Sequence, residues 1–158
     1  MIKILVLFVS LFASVSFART EVRCYDFDCL QYGWNYLDRD KGVSGEVSCL
    51  DSNCYNVGWD VFDRQGTLNV RCKGGDCFGV GWTESYNGRF LRDVNCIGNS
   101  CLRHGWDISQ PGTQLVSVRC KGAGCALDGW SIFVPGRGRY DATCQERACF
   151  VNGWTVTP

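Results

Sequence analysis

Residues 24–34 read CYDFDCLQYGW, a frame of C-x4-C-x3-G-W. It returns at 49–59 (CLDSNCYNVGW), 72–82 (CKGGDCFGVGW), 96–106 (CIGNSCLRHGW), 120–130 (CKGAGCALDGW) and 144–154 (CQERACFVNGW). All 12 cysteines and all 6 tryptophans belong to it, and the first cysteines follow one another every 23 to 25 residues. A fixed period of this length is the signature of a repeat architecture. A unit so short cannot bury a core alone, so the units must pack together.

Outward from the frame, a valine stands two residues before the first cysteine at Val22, Val47, Val70, Val94 and Val118, with Ala142 in the sixth unit. Two residues after tryptophan come Tyr36, Val61, Ile108, Ile132 and Val156, with Glu84 the exception. The positions between are polar, and such alternation marks half-buried strands. Stretches joining the units, such as DRQGT, YNGR and PGRGR, carry turn chemistry. No helical pattern is visible. The glycine before each tryptophan is expected at a bulge or at a close backbone approach.

The fold expected is all-β: six tandem disulfide-stapled β-hairpin repeats of about 24 residues packed as one domain. Their bounds are about 22–45, 46–68, 69–92, 93–116, 117–140 and 141–158. Repeats run to both ends of residues 19–158 without caps, which favours closure, either trefoil-like or as a ring of small blades, because closure removes sheet edges. A β-solenoid is the alternative. A second period overlies the first, since Arg23, Arg71 and Arg119 precede the cysteine in units one, three and five, and Asp60 and Asp107 follow tryptophan in units two and four. Pairing between units would set Asp60 beside Arg71 and Asp107 beside Arg119, with Thr155 facing Arg23 in the third place.

Gly-Trp hairpins resemble bacterial choline-binding repeats in two residues per unit, but those lack the cysteine pair, and the resemblance implies no function here.

Residues 1–18, MIKILVLFVSLFASVSFA, read as a secretory signal peptide: Lys3, a short apolar run, then small residues at Ser16 and Ala18. Export to the periplasm or the extracellular space is expected, with no membrane anchor or insertion. An even cysteine count in an exported chain reads as a disulfide framework. The spacing predicts Cys24–Cys29, Cys49–Cys54, Cys72–Cys77, Cys96–Cys101, Cys120–Cys125 and Cys144–Cys149. Linking each cysteine to the next unit is the alternative, and thiolate ligation of zinc or an iron–sulfur cluster is disfavoured by the spacing and the single histidine.

Lys plus Arg and Asp plus Glu both number 16, which leaves no electrostatic footprint for nucleic acid. Trp34, Trp59, Trp82, Trp106, Trp130 and Trp154 are expected to form the core rather than sugar platforms, because a large aromatic recurs at one place in every unit. Exposed aromatics are sought among Tyr25, Tyr32, Tyr86 and Tyr140. The tips between cysteines differ in every unit, as a recognition surface on a rigid frame would. Asp26 with Asp28, or Asp51 with Asn53, offers oxygen ligands, but no loop has the acidic density of a calcium site, so no metal or cofactor is expected. His104 fills a slot held elsewhere by Tyr32, Val57, Val80, Asp128 and Asn152, and no catalytic motif is present. The expectation is a non-enzymatic, lectin-like binding module whose partner is a glycan or cell-envelope polymer. The alternative is a structural or protein-interaction protein without glycan binding.

Overall fold

A computed structural model describes residues 20–39 and 41–158. Its strands are β1 (Thr20–Cys24), β2 (Trp34–Asp38), β3 (Val43–Cys49), β4 (Gly58–Asp63), β5 (Gly66–Cys72) and β6 (Gly81–Tyr86). The second half adds β7 (Arg89–Cys96), β8 (Gly105–Ser109), β9 (Val116–Cys120), β10 (Trp130–Val134), β11 (Gly138–Cys144) and β12 (Trp154–Thr157). Each strand pairs antiparallel with its chain neighbours, and β12 returns to β1, so the sheet closes into a barrel. The signal-peptide reading lies outside the described residues.

The closed, all-β, repeat-built class is therefore as expected, and the solenoid is set aside by the β1–β12 pairing. The form of closure is one continuous twelve-stranded meander, neither a trefoil nor a ring of separate blades. The register explains it. Trp34 stands opposite Cys24 on one side and Val47 on the other. Trp154 likewise stands between Cys144 and Val22, across the closure. Pairing between units is as regular as pairing within them, and no break exists at which a blade could separate.

Twelve strands enclose more space than the roughly eight whose interior aliphatic side chains fill. The tryptophans fill it here. All six are at most 1% exposed. Neighbouring indole centroids lie between 5.4 and 6.1 Å apart, and Trp154 meets Trp34 to complete the ring. Above this layer, Phe78 of unit three touches Phe150 of unit six at 6.0 Å. Those units are half a ring apart, so the two phenyl groups close over the barrel axis and seal that end. The outward positions carry charged residues such as Asp60, Arg71, Asp107 and Arg119, the reverse of a barrel whose outer face meets lipid. No helix among the described residues is long and apolar enough to cross a membrane.

One local expectation is corrected and another is narrowed to one of its alternatives. Short helical turns do occur: α1 (Cys29–Tyr32), α2 (Cys101–His104), α3 (Cys125–Asp128) and α4 (Cys149–Asn152). Each is a single turn between the second cysteine and the glycine, too short to show a 3.6-residue period. The glycines, for their part, mark close approach rather than bulges. Gly33 has φ +91°, and a Cβ there would lie 2.0 Å from the Val47 carbonyl oxygen on the adjacent strand. The register shift in the barrel falls instead between Glu84 and Ser85, where β6 meets β7.

Beside that shift, Glu84 points inward although its equivalents are apolar or Tyr36. It is 1% exposed, accepts a hydrogen bond from the Trp82 indole nitrogen at 3.0 Å, and pairs with the buried Arg92 guanidinium. An unpaired charge there would be costly, and the partner on β7 makes the position tolerable.

Candidate binding site

The ends of the barrel differ in chemistry. At one, short turns join the units, as where Asn87 and Gly88, both with positive φ, link β6 to β7. At the other, every unit presents a cysteine-bounded tip. The structure joins Cys24 to Cys29, Cys49 to Cys54, Cys72 to Cys77, Cys96 to Cys101, Cys120 to Cys125 and Cys144 to Cys149, with Cα separations of 4.4 to 4.6 Å. Cross-linking between units does not occur, and no cysteine is free among the described residues. A disulfide of this kind pins a tip at both feet.

In units one to three the last residue of the tip caps the turn that follows. The Asp28 carboxylate accepts from the Leu30 and Gln31 amides at 2.9 and 3.1 Å, and Asp76 accepts from Phe78 and Gly79 at 3.1 and 2.7 Å. Asp28, read from the sequence as a possible calcium ligand, thus serves its own backbone. The turns also hook onto the preceding unit, since the Cys54 amide donates to Leu30 O at 2.8 Å and the Cys77 amide to Tyr55 O at 2.9 Å.

Within the tip, the second and third residues bend through the left-handed region. Units three and four meet this with Gly74–Gly75 and Gly98–Asn99, and unit five uses Gly122. Units six, one and two place Glu146–Arg147, Asp26–Phe27 and Asp51–Ser52 there, with φ between 45° and 59°. A side chain in this region costs on the order of 1 to 3 kcal/mol, and such residues persist where the surroundings over-determine them. The three tips are contiguous in the ring, because unit six adjoins unit one at the closure.

Phe27 is the outcome of that geometry. It is 79% exposed, more than any other large apolar side chain described. It borders a cavity of about 400 Å³ at the closure, together with Arg23 of unit one and Gln145, Glu146, Val151 and Asn152 of unit six. The Asn152 amide donates to a Glu146 carboxylate oxygen at 3.3 Å. The cavity combines a bare aromatic face with an amide, a carboxylate and a guanidinium.

The two-unit alternation settles how those charges are held. Arg71 Nη1 donates to Asp60 at 2.7 Å and to the carbonyls of Val70 and Trp59 at 2.8 and 3.3 Å. Arg119 repeats this with Asp107 at 2.8 Å and with Val118 and Trp106. In the third place Thr155 supplies no carboxylate. Lys73 and Lys121, each one residue after the cysteine in units three and five, also have no equivalent in unit one, where Tyr25 stands. Burial first, and then the charge of Glu46, raise the Tyr25 phenol above its ordinary range, against a hydrogen bond with Asn35 that lowers it.

The six tryptophans lie inside and offer no face to a ligand. Tyr32 is exposed, Tyr25 and Tyr86 are half-buried, and Tyr140 is buried, donating its hydroxyl to Arg137 O at 3.0 Å, which corrects its expected exposure. His104 is exposed beside Gly98. Among the described residues no group of three or more His, Cys, Asp or Glu side chains could hold a metal ion. Phe27 was missed, although a bulky aromatic where the aligned units have Gly75 or Asn99 is a visible anomaly. Compared with family models, curated proteins and solved structures, the chain shows no match to any of them.

Proposed function

We propose that this protein is an exported binding module that recognises saccharides at the closure of its barrel, through the tips of units six, one and two. Six disulfides on a repeated β frame fit an extracellular or otherwise oxidising setting. The saccharide reading rests on Phe27. An apolar ring held 79% exposed by a strained backbone, next to a cavity edged with Gln145, Glu146 and Asn152, offers a flat face for a sugar ring and hydrogen-bonding groups for its hydroxyls. A large apolar side chain held exposed at a positive φ adds nothing to the core, so its position is better accounted for by a ligand than by folding.

The test is a screen against immobilised glycans and cell-envelope polymers, followed by calorimetry on the hits with wild type and Phe27→Ala. The expected result is saccharide binding that falls at least tenfold in the variant while the melting temperature stays within a few degrees. Saturable binding of a protein partner with no saccharide bound by wild type would replace this reading by that of a protein-interaction module.

A further inference from the structure

The departure of unit one from the alternation has a chemical consequence at the same site. Arg71 and Arg119 are each consumed by an aspartate on the neighbouring strand, and their side chains are 45% and 44% exposed. The Arg23 side chain is 70% exposed. Its ion pair is with Glu21 at 3.8 Å, and Glu21 is held more closely by Arg39 at 3.0 Å. No hydrogen bond or ion pair joins Arg23 to Glu146 across the cavity among the described residues.

Three positions produce this difference. Thr155 stands where Asp60 and Asp107 bind their arginines. Glu21, directly opposite Thr155, stands where Asn69 and Ser117 donate to those aspartates at 2.9 Å. Tyr25 stands where Lys73 and Lys121 lie. Arg23 is therefore left with its donors available on the cavity wall, next to Phe27.

Resting on the saccharide reading above, we propose that the site selects an anionic saccharide, with Arg23 pairing the ligand's carboxylate or sulfate while Phe27 stacks on the sugar ring. The planar guanidinium presents parallel N–H donors that match an oxyanion, and charge-assisted bonds of this kind are the stronger class. Glu146, which belongs to unit six, accepts with Asn152 from neutral hydroxyls, so the anion is directed to Arg23 on the unit-one side.

The decisive variant restores what unit one lacks. Glu21→Asn with Thr155→Asp copies the Asp60, Asn69 and Arg71 arrangement, which the fold already accommodates, and returns Arg23 to a locked pair. Arg23→Gln serves as a second variant that removes the charge without adding one. Calorimetry compares three oligosaccharide sets of equal length: uronate-containing, sulfated, and neutral. At least one anionic set is expected to bind wild type tenfold or more tightly than the neutral set, with the preference falling to less than threefold in both variants and neutral binding retained. Equal binding of anionic and neutral sets by wild type overturns the role of Arg23 and leaves the saccharide reading standing. A preference that survives in both variants also overturns it. Failure of every set to bind removes both readings.

Discussion

Replacing Gly153 by alanine tests whether the ring is closed as tightly as its register implies. Gly153 has φ +94°, and a Cβ there would stand 1.9 Å from the Val22 carbonyl oxygen and 2.8 Å from the Val22 carbonyl carbon. Both are backbone atoms of β1, and unstrained carbon contacts begin near 3.5 Å, so the strands would have to part by more than about 1 Å. The β12–β1 junction holds three registered residue pairs, whereas β4–β5 holds six. Parting it forfeits two or three ladder hydrogen bonds at roughly 1 kcal/mol each net, added to about 1 to 3 kcal/mol for the backbone conformation. The sum is about 3 to 6 kcal/mol. Gly136→Ala is the control, because φ is +72° there and nothing lies within 4 Å, leaving only the conformational penalty of about 1 to 2 kcal/mol. At roughly 3 °C per kcal/mol for a domain of this size, Gly153→Ala should melt about 10 °C or more below wild type, and Gly136→Ala about 3 to 6 °C below. Hydrogen exchange should locate the loss in β1 and β12. Equal melting temperatures for the two variants would refute the close packing of the closure.

Removing one partner of the buried pair by Glu84→Ala should destabilise by about 3 to 5 kcal/mol in denaturant titration, whereas Glu84→Val with Arg92→Leu should be near neutral; equal losses would show that the pair itself is not the issue. Burial, and then the charge of Asp63, push the Tyr36 phenol above its ordinary range, and its buried oxygen has no hydrogen-bond partner among the described residues. The folded state therefore keeps this proton while the unfolded state loses it above about pH 10, so stability falls as pH rises beyond that point. Tyr36→Phe should flatten this alkaline decline and leave stability at neutral pH unchanged or raised, as urea midpoints measured across the alkaline range would show; an unaltered slope would exclude Tyr36 as its source.

Much of this architecture was legible because it recurs. A cysteine pair at constant spacing, a tryptophan ten residues after each first cysteine and, two residues before it, a valine in five units and Ala142 in the sixth define strands, staples and core in every unit. What did not recur was harder to read. The register between units is not contained in a period, so closure was foreseeable but its single meander was not. Helical turns of four residues leave no periodic trace, although Asp28 and Asp76 at the foot of their tips are capping residues whose role could have been noticed. Glu84 broke the apolar alternation, and only its partner eight residues on shows that it nonetheless faces inward. Tyr140 lacked equivalents in other units and was expected outside, yet it occupies an inward position of β11 opposite Ile132.

Repetition also sorts the departures from it. Residues constant in all six units must serve what all six need, namely strand approach, stapling and the tryptophan layer. Exceptions need a local cause, and the two strongest differ in the direction they face. Glu84 and Arg92 are turned inward and satisfy each other, and with the adjacent register shift they make unit three unlike the rest, a feature suited to fixing which strands pair. Arg23, Phe27 and Thr155 lie at the closure, where the change of Asp to Thr155 withdraws a partner and the change of glycine to Phe27 stores strain. The first forgoes an ion pair that Arg71 and Arg119 keep, and the second carries a strain that unit three avoids with Gly74–Gly75 and that units six and two share, and both lie around one cavity. A folding requirement does not account for departures of that kind, and the proposed recognition of a ligand by Arg23 and Phe27 would.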